Sequence, residues 1–517
     1  MKHNQYLKIV LIGLLAITSS CESFLEEEVI DEISVDYIYS TPGGLEVGVN
    51  ALYNLQRRNN YPEYEGDPLR ANVFFLAGTD LGLTRTWHRP YGAGHTAASF
   101  AGARIKWELS YQIIDRANAL IISARGIDMD EKEKNELVAQ ARLIRGELYL
   151  DLIRMFDNIL LDTTATTPEN AFDPITYTVA DPKAVYALIN SDLDFAIENL
   201  EWVVPYGRYG QGAARHIRGK AAMWQEDWAE AARQFDAIVE DGTHYLLSDI
   251  RQVFGQNVNH AESLFNYVKD LDLGGNDNLA GGGGTWLSSV FNNRAYELSS
   301  GEVISSVEYG GQALGWSFPN DYLQSLYDQE NDKRYTTYYY PLIKYVNNPD
   351  KPNFGEPLPE SSYDDNFRRH HWSLKKFHDE EKPTDTNDSF KDLIYYRFAE
   401  TLLLGAEAHW HLSGSDADPK ALEYINRIRE RAGVPPFTNF TLDTYLEESA
   451  RELAFEKNRW FLLKRLGLLV ERQSEHYRYG SNSTNVVPEP MAPHMVRLPI
   501  PQNQIDLMGT FPQNPGY

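Results

Sequence analysis

The sequence predicts a mainly α-helical protein of tetratricopeptide-like helix pairs, joined to an irregular, loop-rich lobe that contains short strands. Three observations predict it. Long blocks near both ends of the chain carry apolar residues at three-and-four spacing, which makes one apolar helix face. In two places small residues alternate with large ones at the spacing that lets two helices pack as a hairpin. Between these blocks, residues 242–390 lose the pattern and become rich in Gly, Asn, Asp, Pro and Tyr.

Taken in order, the first helix is expected over residues 44–57 and the second over 101–122. The third, over 133–156, places Leu137, Ala141, Ile144, Leu148, Leu152 and Met155 on one face. A pair follows over 181–198 and 213–240, its second half broken at Glu226-Asp227 and resumed at Trp228. In that pair Ala221-Ala222, Trp228 and Ala231-x-x-x-Phe235 follow the small-residue and A-x-x-x-F spacing of tetratricopeptide repeats. Ala406 to Trp410, followed by Ala421-x-x-x-Ile425, repeats the logic near the C-terminus. In residues 242–390 the runs 263–268 and 302–307 read as short strands, and 281–284 and 349–359 as long loops. Helices resume at about 392–412, 419–432 and 442–469, and the proline-rich tail 496–517 is extended. The chain therefore divides into 1–20, 21–40, a helical region 41–241, a ligand-binding lobe 242–390 and a second helical region with its tail, 391–517.

The N-terminus carries its own message. Lys2 and Lys8 precede an apolar run from Ile9 to Ile17, and Thr18-Ser19-Ser20 lead to Cys21, the only cysteine in 517 residues. A charged start, a short apolar core and small residues before the cut mark a signal peptide over residues 1–20. The apolar run is far shorter than the roughly 20 residues a membrane-spanning helix needs. A lone cysteine forms no internal disulfide, and its place points to acylation of a lipoprotein N-terminus. Thr18 stands where a lipobox usually has Leu. Residues 21–40 then read as an acidic tether, opening with Glu22 and Glu26-Glu27-Glu28.

Formal net charge is −26, and losing Lys2 and Lys8 with the signal leaves −28. Such a surface repels nucleic acid and anionic lipid heads, whereas neutral ligands meet no such barrier. No G-x-S-x-G, P-loop or dinucleotide fingerprint is present. Glu400 and Glu407 lie on an apolar helix and read as paired structural acids, with Arg397 a candidate partner. His409 and His411 are two apart, not at the four-residue spacing of a helical zinc motif, and His370-His371 reads as a surface pair. No catalytic residue, metal site or cofactor is assigned. Asp270-x-Asp272-x-Gly274-Gly275-Asn276-Asp277-Asn278 gathers oxygen ligands but lacks the spacing and terminal glutamate of an EF-hand, leaving a weak calcium cue.

The loop aromatics are the stronger candidates. A sugar presents apolar C–H faces flanked by hydroxyls. A flat ring covers the face while Asn or Arg bonds the rim. Residues 79–100 supply Arg85, Trp87, His88, Arg89 and Tyr91; residues 281–316 supply Trp286, Asn292, Asn293, Arg294, Tyr296, Tyr309 and Trp316. From these, Trp87, Tyr91, Trp286, Asn292, Arg294, Tyr296 and Trp316 are the expected ligand-binding residues.

Several segments also resemble one family in order. Cys21-Glu22-Ser23-Phe24-Leu25, the run WELSYQIIDRANA from Trp107 and the run RGELYLDLIRMFDNILL from Arg145 are similar to SusD/RagB proteins. So are YYRFAETLLLGAEA from Tyr395, Ile425-Asn426-Arg427-Ile428-Arg429 with Arg431-Ala432-Gly433, and Glu452-Leu453-Ala454-Phe455-Glu456 with Arg459-Trp460. The ends Pro499-Ile500-Pro501 and Gln513-Asn514-Pro515-Gly516-Tyr517 complete the resemblance. Asn458, Leu462 and Met508-Gly509 depart from the family's pattern. The resemblance implies four tetratricopeptide-like units and a ligand site in the irregular lobe. It also implies a lipid-anchored, surface-exposed outer-membrane protein without catalytic activity. Such a protein would bind oligo- or polysaccharide and pass it to a SusC-like TonB-dependent transporter. Peptides or other non-sugar nutrients, or a protein-interaction scaffold, are the alternatives.

Overall fold

The computed structural model describes residues 35–60, 73–92, 94–167, 170–269, 284–340 and 345–517. The signal peptide, Cys21, the acidic run after it and the calcium cue at Asp270–Asn278 lie outside the described residues. The end of the expected tether is helical. Helix α1 (Val35–Ser40) packs on α2 (Pro42–Asn60) and α3 (Ala101–Ser123), with Ile38 and Tyr39 against the core.

The expected helices follow as α4 (Glu131–Phe156), α5 (Pro182–Asn199), α6 (Gln211–Trp224) and α7 (Trp228–Asp241). After the lobe come α8 (Phe398–Ser413), α9 (Pro419–Ala432), α10 (Leu442–Leu453), α11 (Asn458–Arg465) and α12 (Leu469–His476). The protein is mainly α, as the periodicity requires. Asp130 starts α4 by accepting from the backbone N–H groups of Lys132 and Glu133, and Asp227 starts α7 by accepting from Glu230. Gly242, left-handed at φ 80°, stops α7. From Leu148 onward α4 is buried on nearly every side. Arg145 on α4 makes two 2.8 Å bonds to Asp192 on α5 and donates to Asn118 on α3 at 2.7 Å, tying three helices together.

The helix pairs meet where the small residues stand. A Cβ on Gly219 of α6 would come within 2.6 Å of the Phe235 ring of α7. One on Gly405 of α8 would approach Tyr424 of α9 at 3.0 Å. Ala222, Ala231, Phe235 and Ala408 share one fully enclosed cluster that joins the two pairs. Ala231→Trp is therefore expected to overpack this contact, at a cost of about 1–3 kcal/mol. Thermal unfolding tests it: an unchanged melting temperature would contradict the close approach.

Four expectations change. The helix expected over 392–412 begins only at Phe398, because Leu393–Arg397 pair as a strand, and the tail expected to be extended carries a short helix, Gln502–Met508. The single helix over 442–469 is broken: Phe455 (φ 62°) and Lys457 (φ 66°) take left-handed conformations between α10 and α11. The turn brings Glu456 to Arg397 and Lys376. The run 302–307 is not a strand; the side chain of Asn347 satisfies the backbone of Ile304 in both directions, at 2.7 and 3.0 Å, where a neighbouring strand would otherwise do so.

The strands are short. β1 (Gly82–Arg85) pairs antiparallel with β3 (Ser317–Pro319) and parallel with β7 (Arg478–Gly480), and β8 (Val487–Pro488) adds to β7. β2 (Ser263–Tyr267) pairs antiparallel with β6 (Leu393–Arg397), which leads directly into α8. β4 (Tyr339–Tyr340) pairs with β5 (Ser373–Leu374). The first sheet matters most for function, because it gathers strands far apart in sequence at one corner.

Candidate ligand-binding site

That corner begins at β1. Leu83 packs with Phe318 and Phe367, and Thr84 bonds the Tyr477 hydroxyl, so the strand is anchored on both faces. Beyond Arg85 the ladder ends and the chain makes a 3-10 turn, Thr86–His88, in which no residue is buried. Its middle residue, Trp87, is 84% exposed. An indole this open within a structured turn is a candidate contact for a ligand.

Beneath it the next ring is fixed. The His88 imidazole stacks on the Trp316 indole with centroids 3.9 Å apart and 19° between planes. Trp316 is held by its backbone: its N–H donates to Val290 at 2.9 Å and its carbonyl accepts from Arg85 N–H at 2.9 Å. Arg89 sits 3.5 Å from the Glu489 carboxylate and 5.0 Å above the Tyr479 ring. Trp87, His88, Arg89 and Trp316, together with Pro90, His95 and Phe100, line a cleft of about 340 Å³. His95 bonds the Pro90 carbonyl at 3.2 Å and the Tyr517 hydroxyl at 2.9 Å. Burial pulls its pKa down to about 4, so this wall is neutral at pH 7. The cleft offers flat apolar rings with polar groups at the edges.

The structure brings Trp87 and Trp316 of the expected residues into this cleft. Tyr91 lies beneath it, 5% exposed, with its hydroxyl donating to the Gly78 carbonyl. Trp286 is half-buried elsewhere in the lobe, its indole N–H donating to Asp388 at 2.7 Å. Asn292 is buried and donates to the Tyr309 carbonyl at 2.7 Å. Tyr296 closes a turn by bonding both backbone groups of Ala313, at 3.2 and 3.3 Å. Arg294 ion-pairs with Glu297 and lies 5.7 Å over the Tyr296 ring. Trp286, Asn292 and Tyr296 thus brace an irregular lobe whose backbone has few ladders to satisfy it. His95, Phe100 and Glu489 were absent from the expected set. Their role depends on β7 and the C-terminal tail returning to β1, which local pattern does not show.

Other candidates resolve as structure. Glu400 is bonded by Lys220 at 2.8 Å and His216 at 3.0 Å, and Glu407 by Arg465 and the Tyr445 hydroxyl, both at 2.7 Å. Arg397 instead serves Glu262, Glu452 and Glu456. His371 is half-buried and lies 5.3 Å from the Phe318 ring, and His409 bonds Asp236 at 2.9 Å. Among the described residues, no three His, Cys, Asp or Glu side chains gather as a metal site, and no helix is long and apolar enough to cross a membrane.

Residues 326–517 match the SusD family model. SusD-like protein P25 of Formosa agariphila is 23% identical over 98% of this chain and 99% of its own, and its SusD-like protein P2 is 25% identical over 99% of each. The chain resembles SusD-like proteins along nearly its whole length. Its fold agrees: a laminarin-binding SusD-like protein superposes with TM-score 0.71 at 23% identity, covering 93% of this chain and all of that one. Surface glycan-binding protein A of Bacteroides uniformis gives TM-score 0.67 at 19% identity over 91% of this chain and 99% of its own. The chain therefore shares the fold of these structures over more than nine-tenths of its length, beyond the C-terminal region that the family model covers.

Proposed function

We propose that this SusD-like protein binds glycan at the cell surface and delivers it to a SusC-like TonB-dependent outer-membrane transporter. The observation that carries the reading is Trp87, 84% exposed above the His88–Trp316 stack. An open indole beside a rigid ring pair is a platform for the apolar face of a sugar, and the cleft beneath gives it depth. The names of the laminarin-binding and surface glycan-binding neighbours support the same class of ligand. No catalytic role is assigned to Glu400 or Glu407, whose carboxylates pair with Lys220 and Arg465. The protein is anchored by lipid at Cys21 and held outside the cell, facing its substrate.

Affinity gels loaded with neutral and acidic polysaccharides test the binding. Retardation on at least one gel without release of reducing sugar supports the proposal; free migration on all would contradict it. The anchor is tested separately. Cys21→Ser is expected to abolish incorporation of a fatty-acid analogue, since serine offers no thiol for lipid transfer. Label persisting in that variant would contradict the lipoprotein reading.

A further inference from the structure

Three arginines converge beside the Trp316 wall of the cleft. The backbone of Arg85 bonds the Trp316 carbonyl at 2.9 Å. Arg368 meets the segment just before Trp316, its Nε donating to the Leu314 carbonyl at 3.0 Å. Arg294 is joined to Arg368 through a 2.8 Å backbone bond. Gly315, at φ 58°, makes room for this approach: a Cβ there would lie 2.7 Å from the Arg368 side chain. The three segments are distant in sequence: the β1–β3 pairing sets Arg85 beside Trp316, and the bonds of Arg368 to Leu314 and of Arg294 to Arg368 place the other two.

The charges in this group are not balanced. Glu297 pairs with Arg294, and no other carboxylate among the described residues pairs with any of the three. The Arg85 guanidinium makes no hydrogen bond to a described residue, and Arg368 uses only its Nε. All three side chains are partly buried. Burial, and then the neighbouring arginines, push the Arg368 pKa down to about 10; burial and Arg294 lower Arg85 as well. Three cations that share one carboxylate are costly to hold together, and a fold keeps such a group where an anion relieves it. The cluster stands out further in a chain of net charge −26.

We infer that the glycan taken by this site is acidic, and that Arg85, Arg294 and Arg368 hold its sulfate ester or uronate carboxylate while the sugar ring lies against the aromatic cleft. The inference rests on the glycan-binding reading and narrows it. The guanidinium fork matches a planar carboxylate or a sulfate edge with two parallel bonds. It also departs from the neutral ligand expected from overall charge. Screening limits the acidic surface to about 8 Å at physiological salt, so a ligand in contact responds to the charges beside it.

The test is calorimetry on protein lacking residues 1–21. The probes are oligogalacturonate, a sulfated galactan oligosaccharide, its desulfated form, a neutral laminari-oligosaccharide and inorganic sulfate. One of the two acidic oligosaccharides is expected to bind best, to lose affinity when sodium chloride rises from 50 to 500 mM, and to weaken at least about tenfold in Arg85→Gln and Arg368→Gln. Both variants are expected to keep or raise the melting temperature, because each removes repulsion. Laminari-oligosaccharide binding tighter than both acidic probes, indifferent to salt and to the two substitutions, would overturn the acidic assignment and leave glycan binding standing. Inorganic sulfate binding with no preference for acidic over neutral sugar would also overturn it. Failure of every oligosaccharide to bind, together with free migration on all the gels, would remove both readings.

Discussion

Trp87→Ala is expected to weaken glycan binding about thirtyfold and to leave the melting temperature unchanged. The size follows from the loss of a single hot-spot ring, typically about 2 kcal/mol or more, at roughly 1.4 kcal/mol per decade. The absence of a stability effect follows from position. Trp87 is 84% exposed and stacks on no described ring, so truncation opens no cavity. Trp316→Ala makes the contrast. That indole is 4% exposed and carries the His88 stack, so its loss is expected to lower both affinity and stability. Calorimetry with the best polysaccharide from the gels, paired with thermal unfolding, separates the two. Wild-type affinity in Trp87→Ala would place the ligand elsewhere.

Glu452→Leu is expected to destabilise the fold by about 3–5 kcal/mol, the cost of breaking a buried ion pair by removing one partner. The Glu452 carboxylate is fully buried and accepts from Arg431 at 2.5 Å, Arg397 at 2.7 Å, Arg334 at 3.2 Å and the Tyr338 hydroxyl at 3.2 Å. Its loss leaves three buried guanidiniums with fewer counter-charges at the seam between α8, α9, α10 and the lobe. Burial pushes the carboxyl pKa up, but Arg431, Arg397 and Arg334 outweigh it and hold the group well below its ordinary value of 4.5. A depressed folded pKa gives stability that is present above the unfolded value and lost as pH falls through the folded one. Urea unfolding at pH 7 and at decreasing pH below 4.5 reads both effects. A variant as stable as wild type at pH 7 would show that the cluster contributes nothing. An acid dependence identical in the two proteins would show that Glu452 is not the group that titrates.

The helices were legible because their signals are local. The apolar face of α4 is written at three-and-four spacing, and Ala231-x-x-x-Phe235 announces a close helix pair whose partner glycine, Gly219, lies one helix away. The break at Phe455–Lys457 was not legible, since neither glycine nor proline marks it and the cause is the pull of Arg397 and Lys376 on Glu456. The site was half legible. Three tryptophans in glycine-bearing loops, Trp87, Trp286 and Trp316, stood out by chemistry; Trp87 and Trp316 line the cleft and Trp286 does not. Which loop aromatics would be scaffold depended on backbone groups needing partners, as at Asn292 and Tyr296, and sequence does not show which carbonyl a side chain will meet. The arginine group was hidden for a different reason. Only Arg294 of the three belonged to the expected set, and overall composition pointed away from an anionic ligand.

The most direct measurement is a crystal structure of the protein, lacking residues 1–21, with an oligosaccharide of the best-retained polysaccharide. The predicted result is a pyranose ring stacked on the Trp87 indole, with the sugar entering the cleft beside the His88–Trp316 pair. A sugar bound on another face, with Trp87 bare and the cleft filled only by solvent, would contradict it.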